Sequence, residues 1–151
     1  MTLEALLAGL HIVAILGLVV FLSSEAALCR GEWMNAAVVQ RLVRVDAIYG
    51  AAAVAVLLTG LARSYWGFKG GGWYWSQPLL HFKLGMFLLI GLMSLQPTLA
   101  FRRWRRRLEA DGQLPTEAEI RQVRGRVMLQ AHLLVLIPIA AVMLARGVLT
   151  R

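Results

Sequence analysis

Three residues that could do chemistry lie inside apolar stretches of this 151-residue chain: Lys83, His81 two residues before it, and His11 in an earlier stretch. A cation inside a bilayer is costly, so a lysine at such a position indicates a functional site or a buried partner. A neutral imidazole can ligate a metal or move a proton, and a lysine can bind an anion. These residues therefore predict a polar site within an otherwise apolar protein.

Four apolar runs predict the elements that position these side chains. Hydrophobic residues make up 59% of the chain, which is more than one soluble core of this length would use. Each run is predicted to be a helix, because an open strand cannot satisfy its backbone in lipid. We therefore expect an all-α, integral membrane four-helix bundle that forms a single domain over residues 1–151. The helices are predicted at about 4–29, 44–63, 78–108 and 117–146.

The net charge of +8 is concentrated in the connection between the third and fourth helices. In a soluble protein such charge would suggest nucleic acid, but arginines directly after an apolar helix are typical of the cytoplasmic side of a membrane protein. We therefore expect the lipid bilayer as partner, no nucleic acid, cytoplasmic first and third connections, and both termini outside. The arginines that carry this prediction are Arg102, Arg103, Arg105, Arg106, Arg107, Arg121, Arg124 and Arg126.

Local signals predict where the last two helices begin and end. Gly112 should end the third helix, and Thr116 with Glu119 has the form of a capping box for the fourth. Pro138 predicts a kink in the fourth helix, and whether that helix closes the bundle or packs outside it stays open. The single cysteine, Cys29, is predicted to be a small buried hydrophobe.

The second connection combines aromatic residues with the run Lys69-Gly70-Gly71-Gly72. The glycines lack the other residues of a phosphate-binding loop, so a nucleotide is not expected. An aromatic belt at the membrane surface explains most of the segment, and a mobile lid over an outward-facing pocket is a functional alternative. The aromatic residues are Tyr65, Trp66, Phe68, Trp73, Tyr74 and Trp75.

Helical spacing and the predicted topology sort the polar residues into two groups. The outer group contains His11, Arg63 and Lys83, with His81 as a further member if it turns inward. The inner group consists of Glu25, Arg44 or Arg41, Asp46, Tyr49, Ser94, Gln96 and His132. It is interpreted as an ion-pair network in which Glu25 and Asp46 share Arg44, or alternatively as a proton path or polar substrate site.

The outer group has cationic side chains and only Glu4 as a nearby carboxylate, which indicates an anionic ligand. Haem is the specific candidate, because it offers propionates to Arg63 and Lys83 and an axial position to a histidine. His81 would lie roughly 8 Å from the depth of His11 and about 160° away from the side of the helix that holds Lys83. Ligation of the metal by His11 alone therefore fits better than a histidine pair.

Several motifs resemble a bacterial membrane family known as the domain of unknown function 2214. They are Leu10-His11, Glu25, Arg44 to Gly50, Thr59 to Arg63, Lys69-Gly70, Lys83 and Ser94 to Thr98. The resemblance covers nearly the whole chain. It implies a four-helix membrane protein with no established activity. Together with the charge distribution, this predicts a multi-pass protein of the bacterial inner membrane with periplasmic termini.

A more distant similarity, over about half of the chain, is to HemJ-type protoporphyrinogen IX oxidases. It is carried by Leu10-His11-Ile12 and Leu80-His81-Phe82-Lys83-Leu84. The similarity implies that His11 is the haem-binding or catalytic histidine and that Lys83 binds an anion or acts as an acid or base. The inner polar group and the Lys69 loop depart from that family, so substrate and oxidase activity are not carried over.

The leading functional prediction is a membrane protein that binds haem b or a related anionic tetrapyrrole at an outer-side site with redox activity. Whether it is an enzyme is left open. One alternative is a proton-coupled carrier in which Glu25, Asp46 and His132 relay protons, as a homo-oligomer because four helices enclose little space. Another is a structural or partner subunit whose polar groups only hold helices together.

Overall fold

A computed structural model describes residues 3–66, 72 and 75–146. Within them the chain forms five α-helices and a short 3₁₀ turn at Gly31–Trp33, with no strand. The helices are α1 (Leu3–Leu28), α2 (Ala36–Trp66), α3 (Pro78–Asp111), α4 (Glu117–Leu134) and α5 (Leu136–Ala145). The described residues contain four helical segments long and apolar enough to cross a membrane, the last of them running through α4 into α5. The predicted all-α, four-helix membrane architecture is confirmed.

The helices pack in a closed ring. The largest interface joins α1 to α2, and α2 packs on α3. α3 then contacts both α4 and α5, while α4 also contacts α1. The fourth membrane segment therefore closes the bundle, which settles the question that the sequence left open.

Dense packing is concentrated in the inner half of the bundle, towards the arginine-rich connection. Phe101 and Trp104 of α3 are fully buried there, and their rings meet edge to face with centroids 5.5 Å apart. In α1 the first buried side chain is Leu18, so the preceding part of that helix presents no fully buried residue. The outer half of the bundle is correspondingly more open, and this is the half that holds His11.

The apolar run predicted that α2 begins near residue 44. In the structure α2 begins earlier, at Ala36. The Oδ1 atom of Asn35 accepts a hydrogen bond from the backbone N–H of Val38 at 3.0 Å, as a helix N-cap residue does. Val39 and Leu42 are fully buried whereas Arg41 is exposed, so this extra stretch is amphipathic. A search for continuous apolar residues does not detect such a segment.

The ends of α3 and α4 follow the sequence signals. Gly112 ends α3 in the left-handed conformation, with a φ of 67°, and its N–H donates to the carbonyl of Leu108. The predicted capping box at Thr116 and Glu119 is present. Arg107 of α3 donates two hydrogen bonds to the Glu119 carboxylate, at 2.8 and 2.9 Å. This pair fixes the register between the two helices.

The fourth membrane segment is interrupted at Val135, three residues before Pro138. Proline has no N–H, so it cannot donate to the carbonyl four residues earlier, at Leu134. The chain instead forms a turn in which the N–H of Val135 donates to the carbonyl of His132 at 3.3 Å. The predicted kink is thus a break between α4 and α5.

Cys29 follows directly on α1 and is completely buried. Its Sγ atom lies 3.9 Å from the carbonyl oxygen of Ile120. Burial raises the pKa of this thiol to about 11, so it is protonated and unreactive at neutral pH. The guanidinium of Arg124 donates to the carbonyls of Ala26 and Cys29, which satisfies the end of α1.

The second connection is only partly described. Tyr65 and Trp75 lie with ring centroids 5.9 Å apart, as expected of neighbours in an aromatic belt. The segment proposed as a lid, Lys69-Gly70-Gly71, lies outside the described residues, together with Phe68, Trp73 and Tyr74.

The charge distribution predicts the topology in the membrane, and a pair of cysteine variants tests it. Gly72→Cys lies in the second connection and Gln113→Cys in the arginine-rich one. We expect a membrane-impermeant maleimide to label Gly72→Cys in intact cells and to label Gln113→Cys only after permeabilisation, because arginine-rich connections stay cytoplasmic. The buried Cys29 should give no background, which the parent chain checks. The reverse labelling pattern would contradict the topology.

Candidate functional site

His11 is held by a hydrogen bond across the α1–α2 interface. Its Nδ1 atom lies 2.7 Å from the hydroxyl oxygen of Thr59, and that oxygen also lies 2.6 Å from the carbonyl of Ala55. The single hydroxyl proton is directed to the carbonyl, which can only accept, so Thr59 accepts a hydrogen bond from the protonated Nδ1 of His11. The arrangement leaves the lone pair on Nε2, as in a metal-binding histidine whose other nitrogen is oriented by an oxygen.

Gly60 explains why the His11 ring can lie so close to α2. A Cβ atom at this position would be 3.1 Å from Cε1 of the ring, tighter than ordinary van der Waals contact. The absence of a side chain therefore provides the space that the imidazole occupies. Small residues at helix interfaces allow this kind of close approach in membrane proteins.

Arg63 and Lys83 complete the outer cluster, which we define as His11, Arg63 and Lys83. Arg63 lies one turn from Thr59 on α2, and Lys83 is supplied by α3. All three members of the cluster are half-buried. Both positive charges act on the His11 ring, and Arg63 also acts on Lys83. The structure thus brings together the three outer residues that the sequence grouped.

No carboxylate neutralises the outer cluster within the described residues. The ion pairs found there are Arg105–Glu109, Arg107–Glu119 and Arg121–Glu117, and none includes a member of the cluster. Two like charges held near each other in a partly buried place favour binding of an anion.

His81 does not join the outer cluster. It is exposed, its Nε2 atom lies 2.9 Å from the carbonyl oxygen of Trp75, and its ring centroid lies 6.1 Å from that of the indole. Two residues of separation from Lys83 place it on the other side of α3. A ligand pair made of His11 and His81 is therefore absent, and His81 belongs to the aromatic belt.

The inner group is smaller than the sequence indicated. Glu25, Asp46 and Tyr49 are buried together, with 1%, 5% and 3% of their surfaces exposed. Thr98 of α3 donates a hydrogen bond to Oδ1 of Asp46 at 2.7 Å. Electrostatic interactions connect Glu25 to Asp46 and Tyr49 to both carboxyl groups. We call Glu25, Asp46, Tyr49 and Thr98 the inner cluster.

Five residues expected in the inner group lie elsewhere. Arg44 is exposed and makes no ion pair with a described residue, because two positions along a helix turn it away from the buried face of Asp46. Ser94 donates to the carbonyl of Gly91 in its own helix at 2.7 Å. His132 is exposed, and its Nδ1 atom lies 2.6 Å from the carbonyl oxygen of Met128. Of the two other positions in that group, Arg41 and Gln96 are also exposed.

The residues that orient the predicted site were not assigned roles from the sequence. Thr59 lies four positions before Arg63, so both are on one face of the helix. This spacing is the signal in the sequence that could have assigned Thr59 to the outer cluster. Thr98 and the buried Gln130 gave no such signal, since an isolated polar residue does not reveal its partner. No group of three histidine, cysteine or acidic residues suited to a metal ion occurs in the described part of the chain.

Comparison with known proteins places the chain in a family. A family profile described as a predicted membrane protein, DUF2214, matches residues 3–149. The chain belongs to the DUF2214 family. No curated protein and no solved structure matches it, so the similarity to HemJ-type oxidases stays a prediction. Membership establishes an integral membrane protein and leaves the activity to be inferred from the clusters.

The contact between His11 and Thr59 can be measured with a double-mutant cycle of His11→Ala and Thr59→Val in detergent. Hydrogen bonds between membrane helices average about 0.6 kcal/mol in such cycles. We expect a coupling of about this size in the free energies of unfolding. The matched control pairs His11→Ala with Thr98→Val, whose hydroxyl bonds to Asp46, and should give no coupling. Equal values for both pairs would contradict the assignment.

Proposed function

We propose that this DUF2214 protein binds an anionic ligand at the outer cluster. The observation that carries the proposal is the convergence of His11, Arg63 and Lys83 from three helices without a neutralising carboxylate among the described residues. Removing three such groups from water without a counter-charge is unfavourable, and an anion would offset that cost. The open packing of the outer half leaves this cluster closer to the surface than the inner one.

Haem b is the ligand that would use all three groups. The hydrogen bond from His11 Nδ1 to Thr59 orients the ring and leaves Nε2 for iron, while Arg63 and Lys83 are suited to propionates. A bound haem would supply redox chemistry. Because His81 lies outside the outer cluster, His11 would hold the iron without a second histidine, and Arg63 and Lys83 would hold the propionates.

The haem proposal is tested by the visible spectrum of the protein purified in mild detergent after expression with added haem. We expect a Soret band that shifts on reduction with dithionite, because axial ligation by an imidazole makes the spectrum sensitive to the iron state. His11→Ala should lose the band. His132→Ala, which alters an exposed histidine outside the cluster, should keep it. A colourless protein would reject haem.

A second titration separates the anion from the iron. Quenching of tryptophan fluorescence by metal-free protoporphyrin IX is compared with quenching by its dimethyl ester, which lacks the carboxylates. We expect the free acid to bind at least tenfold more tightly, because charge-assisted hydrogen bonds to Arg63 and Lys83 are lost in the ester. The difference should disappear in the double variant Arg63→Gln, Lys83→Met. Equal affinities of the parent protein for the free acid and the dimethyl ester would show that the cluster does not bind the carboxylates.

A second candidate function is a proton-coupled carrier. The favouring observation is the burial of Glu25 and Asp46 at the same α1–α2 interface as His11, about 21 Å further along α1. Assembly of several copies would enclose a path that a single bundle is too narrow to hold. His132, exposed and bonded to its own helix, has no part in this version of the proposal.

The carrier proposal is tested by proton flux in liposomes. We expect acidification driven by a membrane potential, with Glu25→Gln reducing the rate at least tenfold because the amide cannot release a proton. Glu32→Gln, an exposed acidic position, serves as the control. Rates equal to those of empty liposomes would reject transport. The inner cluster would then be interpreted as holding together the helices of a structural or partner subunit.

A further inference from the structure

Glu25 and Asp46 place two acidic side chains in the packed interior of a membrane bundle. Only 1% of Glu25 and 5% of Asp46 is exposed. They face each other across the interface of α1 and α2 closely enough for the charge of Asp46 to act on Glu25. Two ionised carboxylates in such a place would repel each other and lose their hydration, which is unfavourable.

Basic groups around the pair do not neutralise Glu25. On α3, Arg102 acts on Asp46 but is itself exposed. On α4, Arg124 is directed to the backbone carbonyls of Ala26 and Cys29. The remaining titratable neighbours are Tyr49 on α2 and the thiol of Cys29, which are both neutral acids.

The two carboxyl groups differ in their hydrogen bonds. Asp46 accepts a hydrogen bond from the Thr98 hydroxyl at 2.7 Å, and such a donor favours the ionised form. The Oε1 atom of Glu25 is buried and has no hydrogen-bond partner among the described residues. An ionised carboxylate without a donor is the less stable of the two, so the geometry distinguishes which group holds a proton.

A second unpartnered group lies at about the same depth. Gln130 of α4 is 1% exposed, and its Nε2 atom has no hydrogen-bond partner among the described residues. Counting from the Arg107–Glu119 contact places Gln130 within about 3 Å of the depth of Thr98. Each of the four membrane segments thus places a polar group at a similar depth, and among the described residues Gln130 has an unpartnered donor and Glu25 an unpartnered acceptor.

We propose that Glu25 and Asp46 form a proton-binding site in which Glu25 is protonated and Asp46 is ionised at neutral pH. Protonation of Glu25 removes the repulsion between the two groups. Thr98 holds Asp46 in its ionised form. A proton site of this kind requires neither haem at the outer cluster nor net transport.

Labelling with dicyclohexylcarbodiimide tests the proposal on the full protein in detergent. This apolar reagent adds to a protonated carboxyl group: the acid oxygen bonds to the central carbon, and the acid proton moves to nitrogen. We expect mass spectrometry to find the adduct on Glu25 at neutral pH and to find it lost at alkaline pH. Glu25→Gln should abolish labelling, whereas the exposed control Glu32→Gln should leave it unchanged. An adduct on Asp46 instead of Glu25 would overturn the assignment.

Asp46→Asn distinguishes a coupled pair from two independent acids. Without the neighbouring negative charge, Glu25 should ionise more readily, so its labelling should be lost at a lower pH than in the parent protein. An unchanged pH dependence of Glu25 labelling would show that Asp46 does not influence the protonation of Glu25, which overturns the coupled pair.

Infrared spectroscopy of the unlabelled protein supplies a measurement that does not depend on reagent access. We expect a carbonyl band of a protonated carboxyl group at neutral pH that disappears in Glu25→Gln. Absence of that band in the parent protein, together with absence of the adduct, overturns the proposal. Porphyrin titration of Glu25→Gln should match the parent, so failure here is distinguishable from failure at the outer cluster.

Discussion

The contact between α1 and α2 is the interaction on which both polar clusters depend. At the outer end Gly60 admits the His11 ring, and near the middle a Cβ atom on Gly17 would lie 3.9 Å from Cβ of Ala52. At the inner end the same interface holds Glu25 against Asp46. Because lipid is as apolar as leucine, close backbone approach and interhelical polar contacts must stabilise such a pair of helices. The groups that could act chemically are therefore also part of what joins the helices.

Hydrocarbon surroundings explain why the two clusters differ in composition. The outer cluster is cationic and only half-buried, so an anion as large as the proposed ligand is suited to complete it. The inner cluster is acidic and nearly fully buried, so a small ion is better suited to neutralise it than a large charged ligand. The proton is the smallest such ion, and it neutralises a carboxylate without needing further ligands. In the two proposals, the cost of uncompensated charge in a bilayer is thus offset by an anion at the outer cluster and by a proton at the inner cluster.

The sequence predicted the architecture well because length and hydropathy act over whole helices. The end of α3 at Gly112 and the capping box at Thr116 were also readable, since each is a local signal with one structural meaning. The start of α2 was missed because its first two turns bury Val39 and Leu42 but expose Arg41. Amphipathic helix outside the hydrocarbon does not resemble a membrane span, and its position depends on packing against the rest of the bundle.

Prediction of the clusters was limited by rotation of each helix about its axis. His11, Arg63 and Lys83 lie near one another in the structure because their depth and face agree, whereas Arg44 and His132 have similar depth to the inner cluster but lie on exposed faces. Depth follows from counting residues along a helix, but the buried face follows from which helix packs beside it. Thr98 shows the consequence: its role appears only when α2 and α3 are docked, since its hydroxyl meets a carboxylate 52 residues away in the chain. For a membrane site assembled from single residues on separate helices, the sequence therefore identifies the charged groups, but their hydrogen-bond partners depend on how the helices pack.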